Sequence, residues 1–236
     1  MPEKDRNLLF LLGHIANENI ILQKLLLMCI PAGETEKTQE ESWAVVTQSL
    51  LIAKVLVSKL FEAWNKVGLL IFNDKLFEGS LFADMPQYGK DALTELKRYF
   101  GQNNHFCTVR NKLTFHYDIP EIKKSFESLP ETDELAILLG ERNGNCLYYL
   151  SEVVMMETLV DRIYGGGREA AVNKFFDDLN NCSSYFGYFM QACMTVLIER
   201  NFEDKEHKEI EVVDPPSLDS IKIPFFVHVG DESSED

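Results

Sequence analysis

An arginine, an amide, a lysine and a histidine fall within seven positions of one another at Arg110, Asn111, Lys112 and His116. Arginine keeps its charge at any physiological pH and offers a planar fork to phosphate oxygens. Histidine, with a pKa near ~6.5, can give or take a proton at neutral pH. These are the groups that metal-free RNA cleavage needs: a base for the 2′-hydroxyl, an acid for the leaving 5′-oxygen and a cation for the phosphorane. On that reading Arg110 stabilises the charged transition state, His116 is the acid–base group and Asn111 orients the phosphate or the imidazole. Lys112 and Arg98 are the substrate-binding candidates. Six residues of helix rise by about 9 Å and turn by roughly 120°, so Arg110 and His116 of one chain do not grip the same phosphate. One histidine also cannot be acid and base at once. A homodimer with both motifs at its two-fold seam removes both difficulties.

Spacing alone is a weak signal, because two other arginine–histidine pairs share it, Arg98 with His105 and Arg200 with His207. The first spans Gly101 and a helix break. The second is flanked by Glu199, Glu203, Asp204 and Glu206, which repel phosphate. Between Lys90 and Lys124 seven basic residues (Lys90, Lys97, Arg98, Arg110, Lys112, Lys123, Lys124) face four acidic ones (Asp91, Glu95, Asp118, Glu121), a net of +3.

The run Val109-Arg110-Asn111-Lys112-Leu113-Thr114-Phe115-His116 resembles the HEPN superfamily. Its hallmark is an arginine, usually followed by a polar residue, then a histidine after four to six intervening positions. The resemblance implies a helical bundle, a dimer and metal-independent ribonuclease activity of the kind found in toxins and phage-defence effectors, with an antitoxin or other regulatory protein as partner. Relatives modified by a nucleotidyltransferase carry a tyrosine two positions after the histidine; here Tyr117 follows immediately and the second position is Asp118. A second reading stands beside this one. Phe106, Val109 and Leu113 form an apolar stripe that His116 continues, and on this reading the histidine is a satisfied bundle-edge residue with Arg110 solvated. The chain is then a non-catalytic module that binds a partner protein.

Composition narrows the field. The 236 residues are 45% hydrophobic and 26% charged, a globular profile of one large domain with appendages. The net charge of −15 divides into −8 for residues 201–236 and −7 for the rest. A polyphosphate chain is repelled by such a surface, so nucleic-acid chemistry is confined to a local basic site. Five cysteines without a CxxC pair read as reduced thiols. No HxxxH, HxxH or ExxH spacing supports a metal, and no cofactor motif is present. Gly165–Gly166–Gly167 lacks the phosphate-loop pattern and reads as a helix connection. Lys54 and Lys59 interrupt the most apolar stretch, so no membrane span is expected, and the start of the chain lacks a cleavable signal. The protein is expected in the cytoplasm.

The elements that must position these residues are helical. Proline is absent between Pro31 and Pro86 and between Pro130 and Pro215, and long helices can run there. Three- and four-residue apolar spacing predicts helices over residues 5–30 and 40–72, then 90–100, about 104–118, a short one after Pro120, 151–164 capped by Ser151, and 168–200. A loop is expected around Gly79 and Pro86. Asn143–Gly144 between LAILL and CLYYL predicts a small β-hairpin over about 135–150, with a helix start as the competing reading. The fold expected is mainly α: an antiparallel multi-helix bundle over 1–200 with that hairpin. An acidic C-terminal tail, 201–236, follows, in which 221–229 could dock as a strand.

Overall fold

The computed structural model describes residues 1–30, 37–101, 104–114, 119–159, 164–202 and 210–228. Within them the chain is mainly helical: α1 (Glu3–Cys29), α2 (Gln39–Ile71), α3 (Lys75–Ala83), α4 (Gln87–Gly101), α5 (His105–Val109), α6 (Ile119–Glu127), α7 (Tyr149–Leu159) and α8 (Arg168–Phe202). The long helices pack side by side. Lys4 at the start of α1 pairs with Asp74 beyond the end of α2, and Asn201 of α8 donates to Asp5 of α1 at 3.0 Å, so α1 runs antiparallel to both.

Helix α2 is the spine. The Thr38 hydroxyl accepts from the Glu41 amide at 3.2 Å and the Glu41 carboxylate accepts from the Thr38 amide at 3.0 Å, which satisfies two end groups of the helix reciprocally. Leu50, Ala53, Leu56, Val57, Leu60, Ala63, Val67 and Ile71 then recur at three- and four-residue steps, and all are buried. This helix is long and apolar enough to cross a membrane, but its buried stripe forms the core on which α1, α5 and α8 pack.

Helix α8 crosses α4 at close range, and a Cβ placed on Gly89 would lie 2.2 Å from Ala192 Cβ. Aromatic rings fill the space between α2, α4 and α5. Trp64 stacks on Phe100 with centroids 5.0 Å apart, and Phe106 meets Tyr99 edge-on at 4.9 Å.

Several expectations need correction. The loop expected around Gly79 contains α3, started by Asp74, whose carboxylate accepts from the Leu76 and Phe77 amides, and α4 begins three residues earlier than expected. No strand forms among the described residues, and the predicted hairpin reduces to one antiparallel bridge, Leu138 to Leu147, with backbone bonds of 2.8 and 2.9 Å. The reason lies in Tyr149. Its ring stacks on Trp43 of α2 at 4.6 Å, which draws residues 149–150 into α7 and leaves no second strand to extend the ladder. Ser151 accordingly sits inside the first turn of α7 rather than capping it.

The tail segment 221–228 is docked without forming a strand. The Ile223 amide donates to the Met28 carbonyl at 3.0 Å, and Asn145 both donates to and accepts from the Val227 backbone, at 2.7 and 3.0 Å. The end of α1 offers free carbonyls, not a sheet edge, so no ladder can grow there. The remainder of the expected strand, residue 229, lies outside the described residues.

Candidate functional site

The described part of the arginine motif sits in a single π-helical turn, Arg110–Thr114, that continues α5. Phe106, Val109 and Leu113 bury the inner side of this segment against α2. The Thr114 hydroxyl donates both to Val109 O, five residues back, and to Lys54 O of α2, at 3.3 Å each. A wide turn brings its outward residues closer together in azimuth than an α-turn does, and Arg110 Nη1 donates to Asn111 Oδ1 at 2.7 Å. Asn111 in turn donates to Cys107 Sγ at 3.4 Å.

The guanidinium is not open to a ligand on all sides. Arg110 Nη2 lies 2.8 Å from Glu62 Oε1 on α2, and Arg110 Nε is buried without a partner. Lys112 is 3.3 Å from the carboxylate of Glu121 on α6, which Lys124 also approaches at 3.8 Å. Arg98 pairs with Glu95 on its own helix, Lys97 is 3.6 Å from Glu78, and Lys123 is 3.7 Å from Glu127. The tertiary structure therefore brings Glu62, Glu78 and Glu127 to cations of the 90–124 window from outside it, and these three carboxylates balance its +3 excess. Arg110 and Asn111 are brought together, whereas Arg98 pairs with Glu95 on its own helix. His116, the predicted acid–base group, lies outside the described residues.

A second polar group gathers near the start of α5. The His105 ring lies against Tyr164 with centroids 4.5 Å apart, and the Tyr164 hydroxyl donates to Asp178 of α8 at 3.0 Å. Burial holds His105 below its ordinary pKa, against the opposing pull of Asp178, and burial pushes the Tyr164 hydroxyl well up. Neither the groove between α1 and α8 nor the hollow around residues 166–173 reaches these groups. Nor do three His, Cys, Asp or Glu side chains converge as a metal site among the described residues.

A further concavity lies elsewhere. A groove of about 920 Å³ runs between α1 and α8 with Leu56 of α2 in its lining. Leu26, Leu179 and Met190 make it apolar, and half-exposed Ile20, Leu27 and Tyr188 stand at its rim. Asn19 on one wall and Ser183 on the other are 4% and 7% exposed. Asn19 Nδ2 and Ser183 Oγ have no hydrogen-bond partner. An unmade hydrogen bond at a buried site costs about 1–3 kcal/mol per group. Among the described residues, the sole charged one in the lining is Asp177.

Sequence reasoning passed over this groove because Asn19 falls within a regular apolar repeat and reads as one polar interruption. The signal present was α8 itself, whose apolar residues occur on more than one side, with Gly187 among them. No family model, curated protein or solved structure matches this chain.

Proposed function

We propose that the chain is a non-catalytic binding module whose binding element is the groove between α1 and α8. The observation that carries this reading is the groove itself, about 920 Å³ between α1 and α8, with apolar walls and a few polar residues such as Asn19, Gln23 and Ser183 in its lining. That volume is at the upper end of the ~300–1,000 Å³ usual for ligand pockets, and apolar walls with a few convergent polar groups are their common character. The motif region supports catalysis less directly, since the cations meant for phosphate already face carboxylates.

A direct test uses the neutral dye N-phenyl-1-naphthylamine, which fluoresces in apolar surroundings. Gly187 lines the groove, and a Cβ there meets nothing within 4 Å, so Gly187→Phe fills the groove without disturbing the helix backbone. Wild type takes up the dye, and Gly187→Phe weakens uptake at least ~10-fold, about 1.4 kcal/mol. Equal uptake by both proteins refutes the module reading.

One observation favours a second reading, a HEPN-like, metal-independent endoribonuclease acting as a homodimer. Arg110, Asn111 and Lys112 share a π turn, and such turns occur frequently at functional sites. The Glu62 and Asn111 contacts fix the guanidinium in one orientation, as a preorganised transition-state contact requires. In this reading Glu62 restrains the single chain, and a two-fold partner or a regulatory protein redirects Arg110 toward RNA. Arg110→Ala and His116→Ala each abolish cleavage of a single-stranded RNA while the circular dichroism spectrum stays unchanged. Cleavage that survives both substitutions excludes this assignment.

A further inference from the structure

We propose that residues 135–139 are a docking edge for an added β-strand, supplied by a partner protein as an extended segment of alternating apolar residues flanked by lysine or arginine. This surface is separate from the groove between α1 and α8 and does not depend on it. Exposure alternates along the segment: Leu135, Ile137 and Leu139 are 46%, 50% and 76% exposed, whereas Ala136 and Leu138 between them are half-buried. A period of two marks an extended chain with one side turned outward. Directly across from Ile137, by the pairing of Leu138 with Leu147, stands Tyr148, which is exposed as well. One outward face thus carries three aliphatic side chains and an aromatic ring.

The backbone of the same segment is open on one side. Leu138 donates to and accepts from Leu147 at 2.8 and 2.9 Å, and Ala136 O accepts from the Leu150 amide at 3.0 Å. In an antiparallel pair successive residues alternate, one turning its N–H and C=O toward the neighbouring strand and the next turning them away. The amides and carbonyls of Ile137 and Leu139 consequently face the other edge, and none of them has a hydrogen-bond partner among the described residues. Natural sheets blunt such an edge with lysine, proline or a bulge. Positions 131–139 contain neither lysine nor proline. An extended chain presents donors and acceptors at the matching repeat, whereas a helix spends its own internally. The edge is about 17 Å long at about 3.4 Å per residue, which suits a transient contact.

Charge selects which strand. Glu131, Asp133 and Glu134 precede the edge and Glu141 follows it, with Arg142 the one basic residue in that stretch. Arg168 takes up Asp133, while the Glu134 carboxylate accepts from the uncharged Gln39 amide at 2.6 Å and keeps its charge. Both ends of the edge are therefore acidic, and a strand with cations at its ends matches them. A second copy of this edge does not: antiparallel pairing about Ile137 sets Glu134 of one copy beside Glu141 of the other, at both ends. This chain's own exposed β-branched run, Ile210, Val212 and Val213, carries Glu211 and Asp214 and meets the same repulsion.

The test is fluorescence anisotropy of labelled peptides with the full-length protein at low ionic strength. The probe is Lys-Lys-Val-Thr-Val-Thr-Val-Lys-Lys. One control replaces its lysines by glutamates; two others keep the lysines and carry N-methyl groups on every valine or on every threonine. The lysine peptide binds at least ~10-fold more tightly than the glutamate peptide. A docked strand bonds through one of its two edges, so N-methylation of one residue type abolishes binding and of the other leaves it within ~3-fold. Ile137→Pro removes an outward N–H, keeps the Leu138–Leu147 bonds and weakens the lysine peptide at least ~5-fold, with an unchanged circular dichroism spectrum. Ile137→Lys, which keeps every backbone group and adds an edge cation, weakens it as well. Gly187→Phe changes none of these affinities. Absence of lysine-peptide binding, or unchanged affinity in both Ile137 variants, overturns the assignment. So does binding of both N-methylated peptides as tight as that of their parent, which marks attraction between net charges alone. Loss of peptide binding in Gly187→Phe places the peptide in the groove and overturns it too, as does a wild-type dimer that Ile137→Lys dissociates.

Discussion

The guanidinium of Arg110 lies 2.8 Å from the carboxylate of Glu62, a residue 48 positions earlier on the neighbouring helix α2. Both side chains are about one-third exposed, 32% and 39%, so the pair is screened by solvent. Partly exposed ion pairs are worth about 0–1 kcal/mol. A double-mutant cycle of Arg110→Ala and Glu62→Gln, read by urea unfolding, gives a coupling below about 1 kcal/mol. The electrostatic effect is larger than the stability effect. Glu62→Gln releases the cation, and retention on a heparin column increases over wild type at low salt; Arg110→Ala in the same background reverses the gain.

Gly89 and Ala192 set the distance between α4 and α8. Glycine-to-alanine inside a helix ordinarily stabilises by about 0.5–1 kcal/mol. Here the new methyl would stand 2.2 Å from Ala192 Cβ and 3.1 Å from Met85 Cγ, and Ala192 has no flexible end to move aside. Gly89→Ala destabilises by about 1–3 kcal/mol, the usual cost of overpacking. Differential scanning calorimetry checks this, and a Tm at or above that of wild type contradicts the close crossing.

Arg168 opens α8 and clamps two carboxylates from separate parts of the chain. Its Nη1 donates to Asp133 at 3.0 Å, and its Nη2 donates to Asp133 and, at 2.9 Å, to Glu157 of α7. Glu157 is 7% exposed, so removal of the arginine strands a buried charge. Arg168→Ala costs about 2–4 kcal/mol, toward the lower side of a fully buried pair because the guanidinium is 35% exposed. Arg168→Ala combined with Glu157→Gln recovers part of the loss, measured by the urea midpoint.

His105 makes stability depend on pH. Burial against Tyr164 lowers its folded pKa, with Lys174 adding to the effect and Asp178 opposing it. The unfolded chain therefore binds a proton more readily than the folded one. Its contribution is fully present above the unfolded value of ~6.5 and falls away as pH drops through that value toward the lower folded one. The Tm decreases between pH 7.5 and pH 5.5, and His105→Gln makes that decrease shallower. An unchanged slope in the variant contradicts a buried neutral imidazole.

The long helices were legible in the sequence because a three- and four-residue apolar repeat is local, and α1, α2 and α8 each bury that repeat where expected. Short elements were not. Helix α3 depends on the single cap Asp74, and the residues expected to form a hairpin instead follow Tyr149 onto the Trp43 ring. The arginine motif was legible as composition, down to its +3 surroundings. Its neutralisation was not, because Glu62, Glu78 and Glu127 lie outside the window and reach it only through the packing of α2, α3, α4 and α6.

Sequence by itself determined that this chain is helical, where its longest helices run, and that Arg110 and Asn111 stand next to one another. Periodicity and adjacency are properties of neighbouring residues, so they survive without a fold. Tertiary structure decided which charges meet and where space is left. Ion pairing depends on distances between residues remote in sequence, and the groove exists because α1 and α8 enclose a space that places Asn19 and Ser183 on opposite walls. Neither relation has a local signature, and only the packed helices create them.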